Sequence, residues 1–78
     1  MILLNLILFS KQYIFKIYFY HNGQRYEGDY RKDKMEGQGV YYYNNGDREM
    51  GNYLNDKQIG KHVMLTRNGE VKINDYHN

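Results

Sequence analysis

Polar and apolar positions alternate along much of the chain. From Arg25 to Tyr30, the side chains of Tyr26, Gly28 and Tyr30 fall on one side, and Glu27 and Asp29 fall on the other. This is the period-two signature of a strand with one solvated face. The following segment places Gly37, Gly39, Tyr41 and Tyr43 on one side and Gln38, Val40 and Tyr42 on the other. Asn-Gly pairs at 22–23, 45–46 and 68–69 punctuate these segments. Because both residues tolerate positive φ, each pair predicts a type I′ hairpin turn. Ile14–Tyr20 should then pair with Arg25–Tyr30, Gly37–Tyr43 with Arg48–Tyr53, and Gly60–Thr66 with Val71–Asp75. Polar links at Arg31–Glu36 and Leu54–Ile59 should join successive hairpins.

The spacing of the turns is itself informative. Successive Asn-Gly pairs stand 23 residues apart, and the same shift carries Gly28 onto Gly51, Tyr30 onto Tyr53, Asp33 onto Asp56, Gly37 onto Gly60 and Val40 onto Val63. Laid over 41–78 without a gap, residues 18–55 give 15 identities in 38 positions. A fixed period of this kind means stacked copies of one structural unit. The predicted fold is all-β: an antiparallel meander of repeated β-hairpins forming one elongated sheet. Gly28, Gly37, Gly39, Gly51 and Gly60 are its structural glycines. Glycine inside a strand costs stability unless something packs on its bare backbone, and tyrosine rings from adjacent strands are the natural candidates.

Composition narrows the function classes. The 78 residues hold ten Tyr and eight Gly but no Cys, Pro or Trp. There is therefore neither a disulfide framework nor a thiolate zinc site, and stability must come from packing. The formal net charge of +2 is too small to argue for nucleic acid or membrane by itself. No basic stripe runs between the tyrosines, so no nucleic-acid partner is expected. His21, His62 and His77 fall at a predicted turn, on a strand and at the terminus, without a carboxylate or second histidine at ligand spacing. They read as solvated or packed imidazoles. Glu27 and Asp29 share a solvent-facing strand side, where a general acid would lack the burial that raises its pKa. No phosphate loop precedes a helix. Neither catalysis nor a cofactor is expected.

The run from Tyr26 to Tyr43 (YEGDYRKDKMEGQGVYYY) resembles a MORN (membrane occupation and recognition nexus) repeat. Its marks are Tyr-x-Gly, an aromatic two residues on, and Gly-x-Gly about nine residues after the first Gly. The second copy is degenerate: Glu49 stands for the leading Tyr and His62 for the second Gly of Gly-x-Gly, while Asp33 and Asp56 occupy a loop position where the family commonly has Gly. The resemblance implies a non-catalytic module for protein–protein interaction or scaffolding. Similar repeats occur in cytoskeletal and ciliary assemblies, at membrane junctions, and as extensions of phosphatidylinositol phosphate kinases and a lysine methyltransferase. The absence of cysteine and of glycosylation sites points to a cytoplasmic setting, and the resemblance implies one that is cytoskeletal, ciliary or peripheral to a membrane.

Two candidate sites follow. Tyr26, Tyr30, Tyr41, Tyr43 and Tyr53 could line a groove for a protein segment, since tyrosine offers rigid, amphipathic contact area; alternatively these rings are the sheet's own core. Arg31, Lys32 and Lys34 could meet an anionic phospholipid, but Glu27, Asp29, Asp33 and Glu36 leave residues 27–36 at net −1, short of the four to eight clustered basic residues, worth about 1 kcal/mol each, that mark convincing segments. The open edges of a short array also predict self-association or docking into a larger assembly.

Residues 1–17 form a separate apolar segment ahead of the array at 18–78. The 23-residue shift recovers none of its Gly or Tyr positions. It lacks the basic start and small-residue cleavage site of a signal peptide, and Lys11, Gln12 and Lys16 interrupt it well short of the about 20 apolar residues of a spanning helix. An end strand or short helix covering the open sheet is expected, or a start that belongs to a longer array, as the partial last unit also suggests.

Overall fold

A computed structural model describes residues 13–77. Six antiparallel strands form one open sheet in simple sequential order: β1 (Ile14–Phe19), β2 (Arg25–Arg31), β3 (Lys34–Tyr42), β4 (Arg48–Leu54), β5 (Lys57–Leu65) and β6 (Val71–Tyr76). The sheet is elongated, with extents of 51 × 27 × 21 Å. The expected hairpins form, but Phe19 lies opposite Arg25, Tyr42 opposite Arg48 and Leu65 opposite Val71, one residue away from the register that a two-residue Asn-Gly turn would set. The boundary drawn at residue 17 falls inside β1, whose pairing with β2 runs from Ile14 among the described residues. The apolar stretch before Tyr13 lies outside the described residues.

The turns exchange the chemistry expected of them. The Asn-Gly pairs make three-residue loops rather than type I′ turns. Tyr20 N–H donates to the Gln24 carbonyl and Gly23 N–H to the Tyr20 carbonyl, and the bonds repeat at 43–47 and 66–70. Only the glycines there have positive φ, at 91°, 97° and 89°. This is the type I turn closed by a left-handed glycine. Asn22 and Asn45 accept the N–H groups of Gln24 and Asp47 through Oδ1 at 3.0 and 2.9 Å, an Asx contact that favours this form. The two-residue hairpins are instead Lys32-Asp33 and Asn55-Asp56, where all four residues have φ between 50° and 68°. The six-residue links thus shrink to two residues, and their outer positions join the strands: Arg31 pairs with Lys34 and Leu54 with Lys57.

Those longer strands contain an irregularity at nearly the same place in both repeats, offset by one residue. The register shifts between Gly28 and Tyr30 against β3, and between Met50 and Asn52 against β5. The slack is taken up at Gly37 and Gly60, with φ of +101° and +69°. An L-residue with a Cβ is strained in that region, which explains why both copies keep glycine there.

One face of the sheet holds the core. Tyr26, Tyr30 and Tyr53 are buried, with Tyr20, Met35 and Tyr41 packed against them. Four edge-to-face contacts run Tyr30–Tyr26–Tyr53–His62–Tyr76, with centroid separations of 5.5, 5.1, 5.3 and 5.0 Å. Such pairs are worth about 0.5–1.5 kcal/mol each beyond the area they bury. The opposite face carries Glu27 and Asp29 of β2, with Val40, Met50, Val63 and Ile73 in one row across β3 to β6.

Candidate functional site

The tyrosine face is built from two cells that sit one repeat apart and solve the same packing problem differently. In the first, the Tyr26 ring lies over Gly39; a Cβ on Gly39 would overlap the ring, and one on Gly28 would meet the Tyr26 hydroxyl and the backbone of β3. Glycine is required here by close approach. In the second, Glu49 stands where Tyr26 would be, and the His62 ring covers Gly51, where an added Cβ would collide with it. The expected tyrosine over Gly51 is therefore a histidine from the neighbouring strand. His62 touches Tyr53 and Tyr76 as Tyr26 touches Tyr30 and Tyr53, so the ring ladder continues unbroken.

Glu49 and His62 are both 0% exposed, a placement the sequence reading missed. His62 Nδ1 lies 3.1 Å from Glu49 Oε2, so His62 does have a close carboxylate. The contact is out of line for a hydrogen bond, and Nδ1 has no hydrogen-bond partner among the described residues. The ring is oriented from its other side, where Nε2 is 2.8 Å from the Asn52 carbonyl. Glu49 accepts from the Tyr76 hydroxyl at 2.7 Å and the Tyr43 hydroxyl at 3.1 Å, with Gln58 Nε2 at 3.5 Å. Burying a carboxylate demands such donors. The tyrosines respond: burial, reinforced by the Glu49 acceptor and its charge, pushes the Tyr76 phenol up to about 12. Tyr43 rises for the same reasons, whereas Tyr53 and Tyr26 rise chiefly by burial. Among the described residues no three His, Asp or Glu side chains gather as metal ligands.

The five tyrosines expected to line a groove divide. Tyr26, at 0% exposed, cannot offer its ring to a partner, and Tyr30 and Tyr53 are also buried; these three form the core. Tyr41 and Tyr43 are half-buried. Their rings lie 4.9 Å apart and line a trough of about 310 Å³ with Gln24, Met35, Asp56 and Gln58, closed below by Tyr53. A larger depression, about 490 Å³, lies on the opposite face between Phe15, Glu27, Asp29, Val40 and Met50, over the backbone of Gly28, Gly39 and Gly51. It contains no tyrosine.

The basic residues meet at the Lys32-Asp33 turn. Arg31, Lys32 and Lys34 border a depression of about 310 Å³ that also includes Glu36 and Asn55. Arg31 is already engaged, with Nη1 at 3.2 Å from Glu36 Oε2 and its guanidinium over the Tyr13 ring. Lys32 and Lys34 are exposed. Among the described residues no helix is long and apolar enough to cross a membrane.

Comparison with known proteins gives one family. Residues 26–48 match the family model described as the MORN repeat, a span that runs from Tyr26 of the first cell to the residue before Glu49 of the second. No curated protein matches the chain.

Proposed function

We propose that this chain, whose residues 26–48 are a MORN repeat, is a non-catalytic interaction module that takes a protein segment into the trough beside Tyr41 and Tyr43. One observation carries the reading: these two rings are left half-exposed on the aromatic face while Tyr26, Tyr30 and Tyr53 are withdrawn into the core. A single-layer sheet must leave surface available on both sides, and rigid aromatic area beside polar groups such as Gln24 and Asp56 suits recognition. The test is selection of displayed peptides on the immobilised chain. Peptides that bind should lose at least about tenfold in affinity with Tyr41→Ser and keep it with Lys61→Ser on the opposite face of the sheet. Peptides indifferent to Tyr41 would remove the trough as the site.

A second reading rests on the convergence of Arg31, Lys32 and Lys34 on one depression. An anionic headgroup placed there would meet Lys32 and Lys34, both exposed, against the opposition of Glu36. Flotation with vesicles containing or lacking phosphoinositides tests it. Binding that survives Lys32→Glu with Lys34→Glu rules these lysines out.

A further inference from the structure

Among the described residues β1 and β6 each have an edge with no neighbouring strand, and the repeat makes these two edges complementary to each other. Within the chain, the free edge of β1 corresponds to the edge by which β3 pairs with β2 and β5 with β4. The free edge of β6 corresponds to the edge by which β2 and β4 make those same pairs. Shifting the β2–β3 register (Arg25 with Tyr42, Tyr26 with Tyr41, Glu27 with Val40, Gly28 with Gly39) by whole repeats sets Val71 opposite Phe19, Lys72 opposite Tyr18, Ile73 opposite Ile17 and Asn74 opposite Lys16. The β4–β5 register gives the same first three pairs independently.

We propose that β6 of one copy pairs with β1 of a second copy in this register, so that the chain assembles head to tail. The occupant is fixed by side-chain chemistry as well as by backbone symmetry. Phe19, Val71, Ile73 and Ile17 are 72%, 65%, 59% and 50% exposed, large values for apolar side chains, and they are the residues the register brings together. Ile17 of the second copy extends the row Val40–Met50–Val63–Ile73 across the junction, and Phe19 falls beside Val71. Apolar cross-strand pairs of this kind are the unit of sheet stabilisation. Across the other face Lys72 meets the Tyr18 ring, and the repulsion of Lys72 with the diagonal Lys16 is offset by Asp33, 3.5 Å from Lys16. The match is limited to this short stretch, because Ile14 occupies the position where β3 and β5 have the positive-φ Gly37 and Gly60. The contact is heterologous, so nothing closes it after two copies. It does not depend on what the tyrosine trough binds.

Sedimentation velocity of the full chain across a wide concentration range tests this. The expected result is a mass that keeps growing beyond the dimer. Ile73→Lys spoils only the β6 edge and Ile17→Lys only the β1 edge; each alone should weaken association by about tenfold or more. Mixed together, they should restore a one-to-one pair through their intact edges. Both positions are exposed, and unchanged circular dichroism melts would show that the variants fold. A chain that stays monomeric at every concentration overturns the proposal. So does a dimer lost with Ile17→Lys but indifferent to Ile73→Lys, which would mean that two β1 edges pair with each other.

Discussion

The two cells of the tyrosine face share one backbone plan and differ in how they fill it. The first uses a long ring on β2 and nothing on β3, Tyr26 over Gly39; the second uses a short acid on β4 and a ring on β5, Glu49 beside His62. The ring changes strands and keeps its neighbours, with a tyrosine one repeat apart on each side. What the repeat conserves is therefore the volume and the edge-to-face ladder, not the residue at a given position. The exchange also converts a largely apolar cell into one with a buried carboxylate served by Tyr43 and Tyr76.

Removing the ring from either cell should have the largest effect. Tyr26→Ala and His62→Ala should each cost about 3–5 kcal/mol in urea titrations, the usual range for deleting a packed core ring. A cost below about 1 kcal/mol for His62→Ala would mean that it merely occupies space beside Glu49. Smaller but still sizeable effects should come from adding one methyl under each ring. Gly39→Ala and Gly51→Ala should destabilise by about 1–3 kcal/mol by overpacking, with equal tolerance at both sites expected only if the rings move aside.

Alkali should act on both cells but through different causes. Tyr30, in the first, is held up at about 12 by burial; Tyr76, in the second, reaches about 12 through burial and its bond to Glu49. The folded values exceed the unfolded value of about 10, so this stabilisation is fully present below pH 10 and is lost as pH rises through 12. Tyrosinate absorbance should appear together with unfolding. With Glu49→Gln, Tyr76 should ionise earlier while Tyr30 keeps its value; an equal shift at both would contradict the separate causes.

The turns should give the smallest effects, and of opposite sign. Asp33→Gly relieves a residue at φ 65° whose side chain makes one exposed contact with Lys16; it should stabilise by up to about 1 kcal/mol. Asp56→Gly relieves a similar φ of 68° but removes the acceptor of the Met35 N–H at 2.8 Å, so thermal melts should show a loss or no gain.

Strand pairing and the assignment of faces were legible because they depend on features the chain displays locally: alternation, and a period of 23 counted between Asn-Gly pairs. The turn types were not. Asn-Gly is compatible with a two-residue or a three-residue loop, and Lys32-Asp33 and Asn55-Asp56 lack the glycine by which a type I′ turn is usually read. The withdrawal of Tyr26, Tyr30 and Tyr53 from the proposed groove depended on how rings stack across several strands. Glu49 and His62 looked like two separate departures from the motif. The signal was available in their coupling, since the 23-residue shift maps Tyr26 and Gly39, which lie diagonally on paired strands, onto both at once.

That coupling can be measured directly by a double-mutant cycle on Glu49→Tyr and His62→Gly, which together rebuild the first cell in the second. Glu49→Tyr alone should overpack against His62, and His62→Gly alone should leave a cavity beside a buried carboxylate. Together they should return to within about 1.5 kcal/mol of the parent, a coupling of about 2–3 kcal/mol. If the two costs simply add, and the double variant is the least stable of the four, the cells are not alternative packings of one volume.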